Sequence, residues 1–302
     1  MAAPSEPDQP AASLPPTSVI GWIGLGEMGL PMAANLVAAG NRVVGLDREP
    51  SRVEAASRAG VEAAGSLPAL LAAEVTVLVT MLRTGVQTAE LLLGPEGVAA
   101  TATRPLDVVM MSTMDPPSVE RLARECAAHD LTVLDVPVSG GVRGAEAASL
   151  SIMASGDPAA LARVRPLLEP LGARVHVLGE QAGASQAAKL ANQVMMATAI
   201  AGTYEALSLA GDYGLEPEPV IAAVLDGTGA SWPLAHWDWM RSLWEEYEPE
   251  GALDILDKDL KAVIAAVRDR GADLPVTEAT FARLTELWDA ARADAAERRA
   301  AQ

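Results

Sequence analysis

Lys189 lies in the run GASQAAKLANQ, where Gln186, Asn192 and Gln193 fall three before, three after and four after it, on one helical face. Around that face the predicted helix Gly183–Tyr213 is apolar (Leu190, Val194, Met195, Ala197, Ile200, Leu207), which predicts burial on most sides. A lysine in such surroundings must face a cleft, pair with an acid or shed its charge. An ordinary lysine, with a pKa of about 10.4, is too basic to accept a proton at neutral pH. Desolvation lowers that value, so an amine in this setting suits proton transfer to and from a substrate oxygen.

The second chemical stretch is near the amino end. Ser18–Gly24 (SVIGWIG) reads as a buried strand, followed at once by Gly24-Leu25-Gly26-Glu27-Met28-Gly29 and a helical run from Pro31 to Ala39. This is a G-x-G-x-x-G turn in its strand–turn–helix setting. The first glycine permits the turn, the second lets backbone approach a pyrophosphate, and the third lets the helix pack on the strand. The helix amino end offers N–H groups to phosphate. Arg42–Asp47 (RVVGLD) is a second strand, ending in an acid placed to bind the ribose hydroxyls of NAD. Arg48 follows directly and suits the 2′-phosphate of NADP, so both cofactors stay open.

These side chains need a frame. Glu74–Met81 and Asp107–Ser112 read as further buried parallel strands, with helices over Val86–Leu93 and Pro117–Ala128. Ligands gather at the carboxyl ends of parallel strands, which brings in Met81, Leu82, Arg83, Ser112 and Thr113. Helix capping near Asp115-Pro116-Pro117 is the plainer role for Ser112 and Thr113. Thr132–Val138 reads as another strand, running into Ser139-Gly140-Gly141-Val142-Arg143-Gly144. Its exposed backbone N–H groups suit a carboxylate, with Arg143 as a charged addition; a plain wide turn is the alternative. A strand at Ser149–Ala154, a helix at Pro158–Leu171 and a strand at Arg174–Leu178 complete the alternation. After the long helix nearly everything reads as helical. Gly227–Trp244 carries Trp232, Trp237, Trp239 and Trp244, which suit a substrate cavity, Trp232 foremost, or else a core or subunit interface.

The fold class expected is α/β: a Rossmann-like, doubly wound parallel sheet, then an all-α carboxyl-terminal domain, joined by a long interdomain helix. The domains expected are 18–182 and 183–302, after a disordered Pro/Ala/Ser-rich tail at 1–17 with no signal-peptide pattern. The polar stripe of the long helix is expected to face a cleft between the two domains. The formal net charge of −18 argues against nucleic acid and anionic membranes as partners. No apolar run approaches the roughly 18–20 residues that span a bilayer. A single cysteine, Cys126, permits no intrachain disulfide and suits a reducing cytoplasm. His129, His176 and His236 lack metal-ligand spacing, and no metal site is expected.

Four motifs together resemble the β-hydroxyacid dehydrogenase family: IGLGEMGLPMAANL (Ile23–Leu36), DVPVSGG (Asp135–Gly141), GASQAAKLANQ (Gly183–Gln193) and DKDL (Asp257–Leu260). The resemblance spans about Val19 to Leu287. It implies hydride transfer between NAD or NADP and a small 3-hydroxy acid or its semialdehyde, with Lys189 as general acid/base. It also implies a substrate carboxylate held by Ser139, Gly140 and Gly141, and substrate contacts from Asn192 and Gln193. Leu82, Thr113 and Lys258 would contact the cofactor; by spacing alone Lys258 is a solvated residue or a partner of Asp254. Homodimers or homotetramers are implied as well. This chain departs from the family pattern in having Asn192-Gln193 where Asn-Asn is common, and Arg83 where Pro is common. Imine or bulky-carbonyl reduction is an alternative that Lys189 argues against. A non-catalytic dinucleotide-binding scaffold is another, and Lys189 with the Ser139-Gly140-Gly141 turn counts against it. The longer helical domain of 6-phosphogluconate dehydrogenase does not fit in this chain.

Overall fold

The computed structural model describes residues 18–249, 251–271 and 273–300, so the expected tail lies outside the described residues. The chain divides into two compact units, up to Lys189 and from Leu190 onward.

The first unit runs β1 (Val19–Ile23), α1 (Gly29–Ala38), β2 (Arg42–Leu46), α2 (Pro50–Arg58), β3 (Glu62–Ala63), α3 (Leu67–Ala72) and β4 (Val75–Thr80). It continues through α4 (Gly85–Leu93), α5 (Val98–Thr101), β5 (Leu106–Met110), α6 (Pro116–Ala127), β6 (Leu131–Asp135), β7 (Val138–Ser139) and α7 (Gly141–Glu146). Then come β8 (Leu150–Ser155), α8 (Pro158–Leu168), β9 (Gly172–Gly179) and the start of α9 (Ala184–Asp212).

Among the described residues nine strands form one sheet, ordered β3-β2-β1-β4-β5-β6-β8-β7, with β9 paired to β8. From β3 to β6 the pairing is parallel, in the Rossmann order. The expected Rossmann-like, doubly wound sheet is thus present; beyond β6 it becomes mixed, because β8 runs antiparallel to β6 and β7 while β9 is parallel to β8. Alternate side chains of β1 point to opposite faces, as the period of a strand requires. Ile20 and Trp22 enter one core with Met32, Leu36 and Val109; Val19 and Ile23 enter the other with Leu70, Leu78 and Met110. Apolar burial on both faces explains why these strands read as continuous apolar runs.

The second unit is helical: the remainder of α9, α10 (Pro217–Leu225), α11 (Trp232–Ala235), α12 (Trp237–Glu245), α13 (Ala252–Arg270) and α14 (Pro275–Ala300). Its core joins Ile200, Trp237, Trp244, Leu256, Leu260 and Trp288. Tyr204 meets Trp237 and Trp244 edge-on at 4.8 and 5.6 Å between ring centroids. Trp237 and Trp244 therefore belong to the core, the plainer of the two roles expected for them. The expected burial of the long helix on most sides is also corrected: Met195 is 72 % exposed and Tyr213 82 %, with Leu209 between them on the open side. No helix among the described residues is long and apolar enough to cross a membrane.

Candidate active site

The glycine turn leaves β1 and is built by close backbone approach. Gly24 has φ +99°, and a Cβ there would lie 2.2 Å from the Met81 carbonyl oxygen. A Cβ on Gly29 would lie 1.9 Å from the Gly24 carbonyl oxygen, so helix and turn touch only because neither residue carries one. Trp22 Nε1 donates to that same carbonyl at 3.0 Å. Leu25 is a core side chain and contributes only backbone to the turn, whereas Glu27 is exposed and Met28 half-buried. Met28 caps α1 without a side-chain hydrogen bond, which leaves this helix end suited to an external anion.

Asp47, just past β2, clasps the turn. Its Oδ2 accepts from Leu25 N–H at 2.7 Å and its Oδ1 from Glu49 N–H at 2.9 Å. Arg48 is exposed. Arg52, which sequence reasoning passed over, places Nη1 3.8 Å from Asp47 Oδ1 and faces Gly26. The loops after β4 and β5 lock to each other: Leu82 N–H donates to Ser112 Oγ at 3.0 Å, and Ser112 Oγ donates to Leu82 O at 2.8 Å. Capping of α6 falls to Asp115, which accepts from Ser118 N–H at 2.9 Å, so the capping role considered for Ser112 and Thr113 is not theirs. Thr113 is half-buried beside Ser112, Met81 and Leu82 are half-buried, and Arg83 is exposed.

Past β6, Ser139 ends β7, and Gly140 and Gly141 follow with φ +134° and +62°. The plain wide turn considered as the alternative is not what forms: Gly141–Glu146 is the short helix α7, with Gly140 at its cap position, tied to α1 by Asn35 Nδ2 donating to Ala145 O at 2.7 Å. Arg143 sits exposed on this helix.

The amino end of α9 is filled by Asp135, the last residue of β6 and wholly buried. Asp135 Oδ2 accepts from Gly183 N–H at 3.0 Å, Gln186 N–H at 3.1 Å and Ser155 Oγ at 3.4 Å. Asp135 Oδ1 accepts from Gln186 Nε2 at 2.7 Å. The Gln186 side chain also donates to Ser112 O at 3.0 Å and accepts from Met114 N–H at 3.0 Å. Burial pushes the Asp135 carboxyl up to about 6, against hydrogen bonds that favour its ionised form. Lys189 follows Gln186 by one turn and is buried, at 7 % exposure.

In the second unit Asn192 Nδ2 donates to Gln193 Oε1 at 3.1 Å, and Gln193 Nε2 donates to Asp259 Oδ2 at 2.8 Å. Lys258 Nζ stands 2.8 Å from Asp259 Oδ1. The Gln193 amide is thus engaged at both ends within the protein. Asp254, considered as a partner for Lys258, holds the Tyr247 hydroxyl at 2.9 Å and Arg292 at 2.9 Å. Trp232 is 45 % exposed, stacked on His236 at 4.2 Å and edge-on to Trp239 at 5.9 Å. Asp135 and Asp259 each stood inside a recognised motif, yet only the fold reveals what their carboxylates hold.

The turn, the acid after β2 and the open end of α1 define a dinucleotide-binding unit, here followed by a helical one. Residues 19–179 match the family model described as the NAD binding domain of 6-phosphogluconate dehydrogenase. Residues 183–301 match that described as the NAD-binding of NADP-dependent 3-hydroxyisobutyrate dehydrogenase. A 3-hydroxyisobutyrate dehydrogenase of Pseudomonas aeruginosa is 40 % identical over 217 residues, 71 % of this chain and 72 % of the relative. The solved structure of Mycobacterium tuberculosis 3-hydroxyisobutyrate dehydrogenase with L-serine is similar at 33 % identity and a TM-score of 0.76, covering 88 % of this chain and 91 % of that one. A Salmonella typhimurium 3-hydroxyisobutyrate dehydrogenase structure has 28 % identity and a TM-score of 0.78, over 89 % of this chain and 93 % of its own. The chain belongs to the β-hydroxyacid dehydrogenase family, NAD(P)-dependent oxidoreductases acting on CH–OH groups.

Proposed function

We propose that this enzyme interconverts a small 3-hydroxy acid and its semialdehyde, with Lys189 as general acid/base. The observation that carries the reading is the buried amine of Lys189, one turn beyond a side chain anchored at the carboxyl edge of the sheet. The same edge presents Gly24, Asp47, Leu82 and Ser112, where ligands of parallel sheets bind. The cofactor fits the turn at Gly24–Gly29, where added Cβ atoms would strike backbone and the helix end lacks a side-chain cap.

When bound, the nicotinamide supplies the acceptor or donor of hydride. Lys189 Nζ takes the hydroxyl proton in oxidation and returns it to the forming alkoxide in reduction. Ser139, Gly140 and Gly141 hold the substrate carboxylate through backbone N–H groups and the serine hydroxyl, and Asn192 orients the substrate with Gln193 behind it. Met81, Leu82, Arg83 and Thr113 flank the cofactor, and Lys258 contributes from the DKDL motif. Asp47 directs the choice toward NAD: its carboxylate is fixed by two backbone N–H groups and repels a 2′-phosphate. A reducing compartment suits Cys126, whose thiol is pushed up to about 12 by burial and is inert.

Lys189→Ala tests the reading. With a panel of 3-hydroxy acids and NAD, kcat is expected to fall by roughly 10²- to 10⁴-fold while the cofactor Kd is unchanged. An alanine variant that turns over normally rejects it.

A further inference from the structure

We propose that Asp135 is a positioning residue: its carboxylate fixes the first turn of α9 against the end of β6, and through Gln186 it sets the place and proton affinity of Lys189. The inference rests on Lys189 being the proton carrier.

The geometry is specific. A helix of 29 residues begins with N–H groups that have no partner inside it. Here two of them, on Gly183 and Gln186, are taken by a carboxylate 48 and 51 residues upstream rather than by a local cap. The same carboxylate grips the Gln186 side chain at 2.7 Å, so backbone and side chain of one residue are held by one acid. Gln186 extends the grip to Ser112 O and Met114 N–H, which fixes the helix to the loop after β5 as well. From β8, Ser155 Oγ donates to Asp135 at 3.4 Å and accepts from Ser185 N–H at 3.0 Å. The groups meeting Asp135 from these elements, Gly183, Gln186 and Ser155, are uncharged. Its charge is therefore balanced by oriented N–H dipoles and by the positive end of α9. Lys189 stands within the next turn of that helix. An unopposed helix amino end disfavours an ammonium there; an ionised Asp135 offsets it and keeps the amine able to hold a proton. A carboxylate is needed because every contact on both oxygens is a donor. An asparagine would set its own amide N–H groups against Gly183 and Gln186 or against Gln186 Nε2.

Asp135→Asn tests this. The expected result is a roughly 10- to 100-fold fall in kcat, the loss that one mispaired buried group produces. The Kd for NAD is expected to stay within about twofold, since the turn at Gly24–Gly29 is separate. The ionisation assigned to Lys189 in the pH dependence of kcat/KM is expected to move down by about half a unit to one unit. A merely structural role would lower thermal stability and leave that ionisation in place. An Asn variant with kcat and pH profile unchanged overturns the inference, as does one whose NAD affinity and kcat fall in parallel while the ionisation in the profile stays in place. If that variant does not fold, Gln186→Met severs the side-chain arm and keeps the backbone caps. It is expected to show about a tenfold lower kcat at unchanged Kd, and wild-type kcat overturns the inference. Lys189→Ala separates the two claims. Activity without the amine removes the reading of the site altogether. An inactive alanine variant beside a normal Asp135→Asn enzyme removes only the role of Asp135.

Discussion

Two helices of the first unit begin at the same edge of the sheet and end up with opposite amino termini. The end of α1 is bare: glycines line it and Met28 supplies no cap. The end of α9 is closed by a buried carboxylate from β6. Both ends carry the same partial positive charge, but their N–H groups are met differently: in α1 Leu30 N–H donates to Gly26 O at 3.0 Å, whereas in α9 the N–H groups of Gly183 and Gln186 donate to Asp135. One has no side-chain cap; the other is capped by a carboxylate from elsewhere in the chain.

The comparison can be broken at either end. The largest effect is expected at the open one. Gly29→Ala places a methyl group 1.9 Å from the Gly24 carbonyl oxygen, so turn and helix must separate. NAD affinity, measured by fluorescence titration, is expected to fall at least about 100-fold, the equivalent of a few kcal/mol of overpacking. Normal binding by that variant would show that the close approach does not shape the phosphate site. A smaller effect is expected at the clasp. Asp47→Asn keeps the acceptor toward Leu25 N–H and removes the charge. Its preference for NAD over NADP, read as a ratio of kcat/KM values, is expected to drop roughly tenfold, about 1.4 kcal/mol. An unchanged ratio would assign the choice to Arg48 or Arg52.

The smallest effect sharpens the closed end. Burial raises Asp135 to about 6, above its ordinary range, so the folded state holds this proton more tightly than the unfolded state. Its stabilising share is complete below the ordinary carboxylate range and is lost as pH rises through about 6. Thermal unfolding of the wild type and Asp135→Asn between about pH 4 and pH 7 is expected to show the wild type losing ground as pH rises. A difference in Tm that does not vary with pH would mean that Asp135 titrates elsewhere.

The open end was legible in the sequence because it is local: strand, glycines and helix follow one another, and the acid comes some 20 residues on. The closed end was not. Asp135 and Gln186 stood in two recognised motifs, but nothing in their spacing says that a carboxylate reaches across 51 residues to one helical turn. Helices α2, α3 and α5 and the two-residue β3 escaped notice because they are short or follow Pro and Ser, without a long periodic pattern. The single strand expected over Thr132–Val138 breaks after Asp135, and Pro137 has no N–H to continue the ladder. The apolar face of α9 misled in the other direction: apolar residues around a helix predict burial, yet Met195, Leu209 and Tyr213 are exposed in this chain. The Asn192–Gln193–Asp259 chain joins one helix to another 66 residues on, beyond any reading of local order.

Of the six tryptophans in the sequence, only Trp22 precedes Leu190, and its indole donates to the carbonyl of the first glycine in the turn. The protein thus carries its own optical reporter. Emission from Trp22 belongs to the glycine turn of the first unit, and emission from the other five to the second. Replacing those five with phenylalanine would leave a single signal that registers the ordering of that turn during refolding.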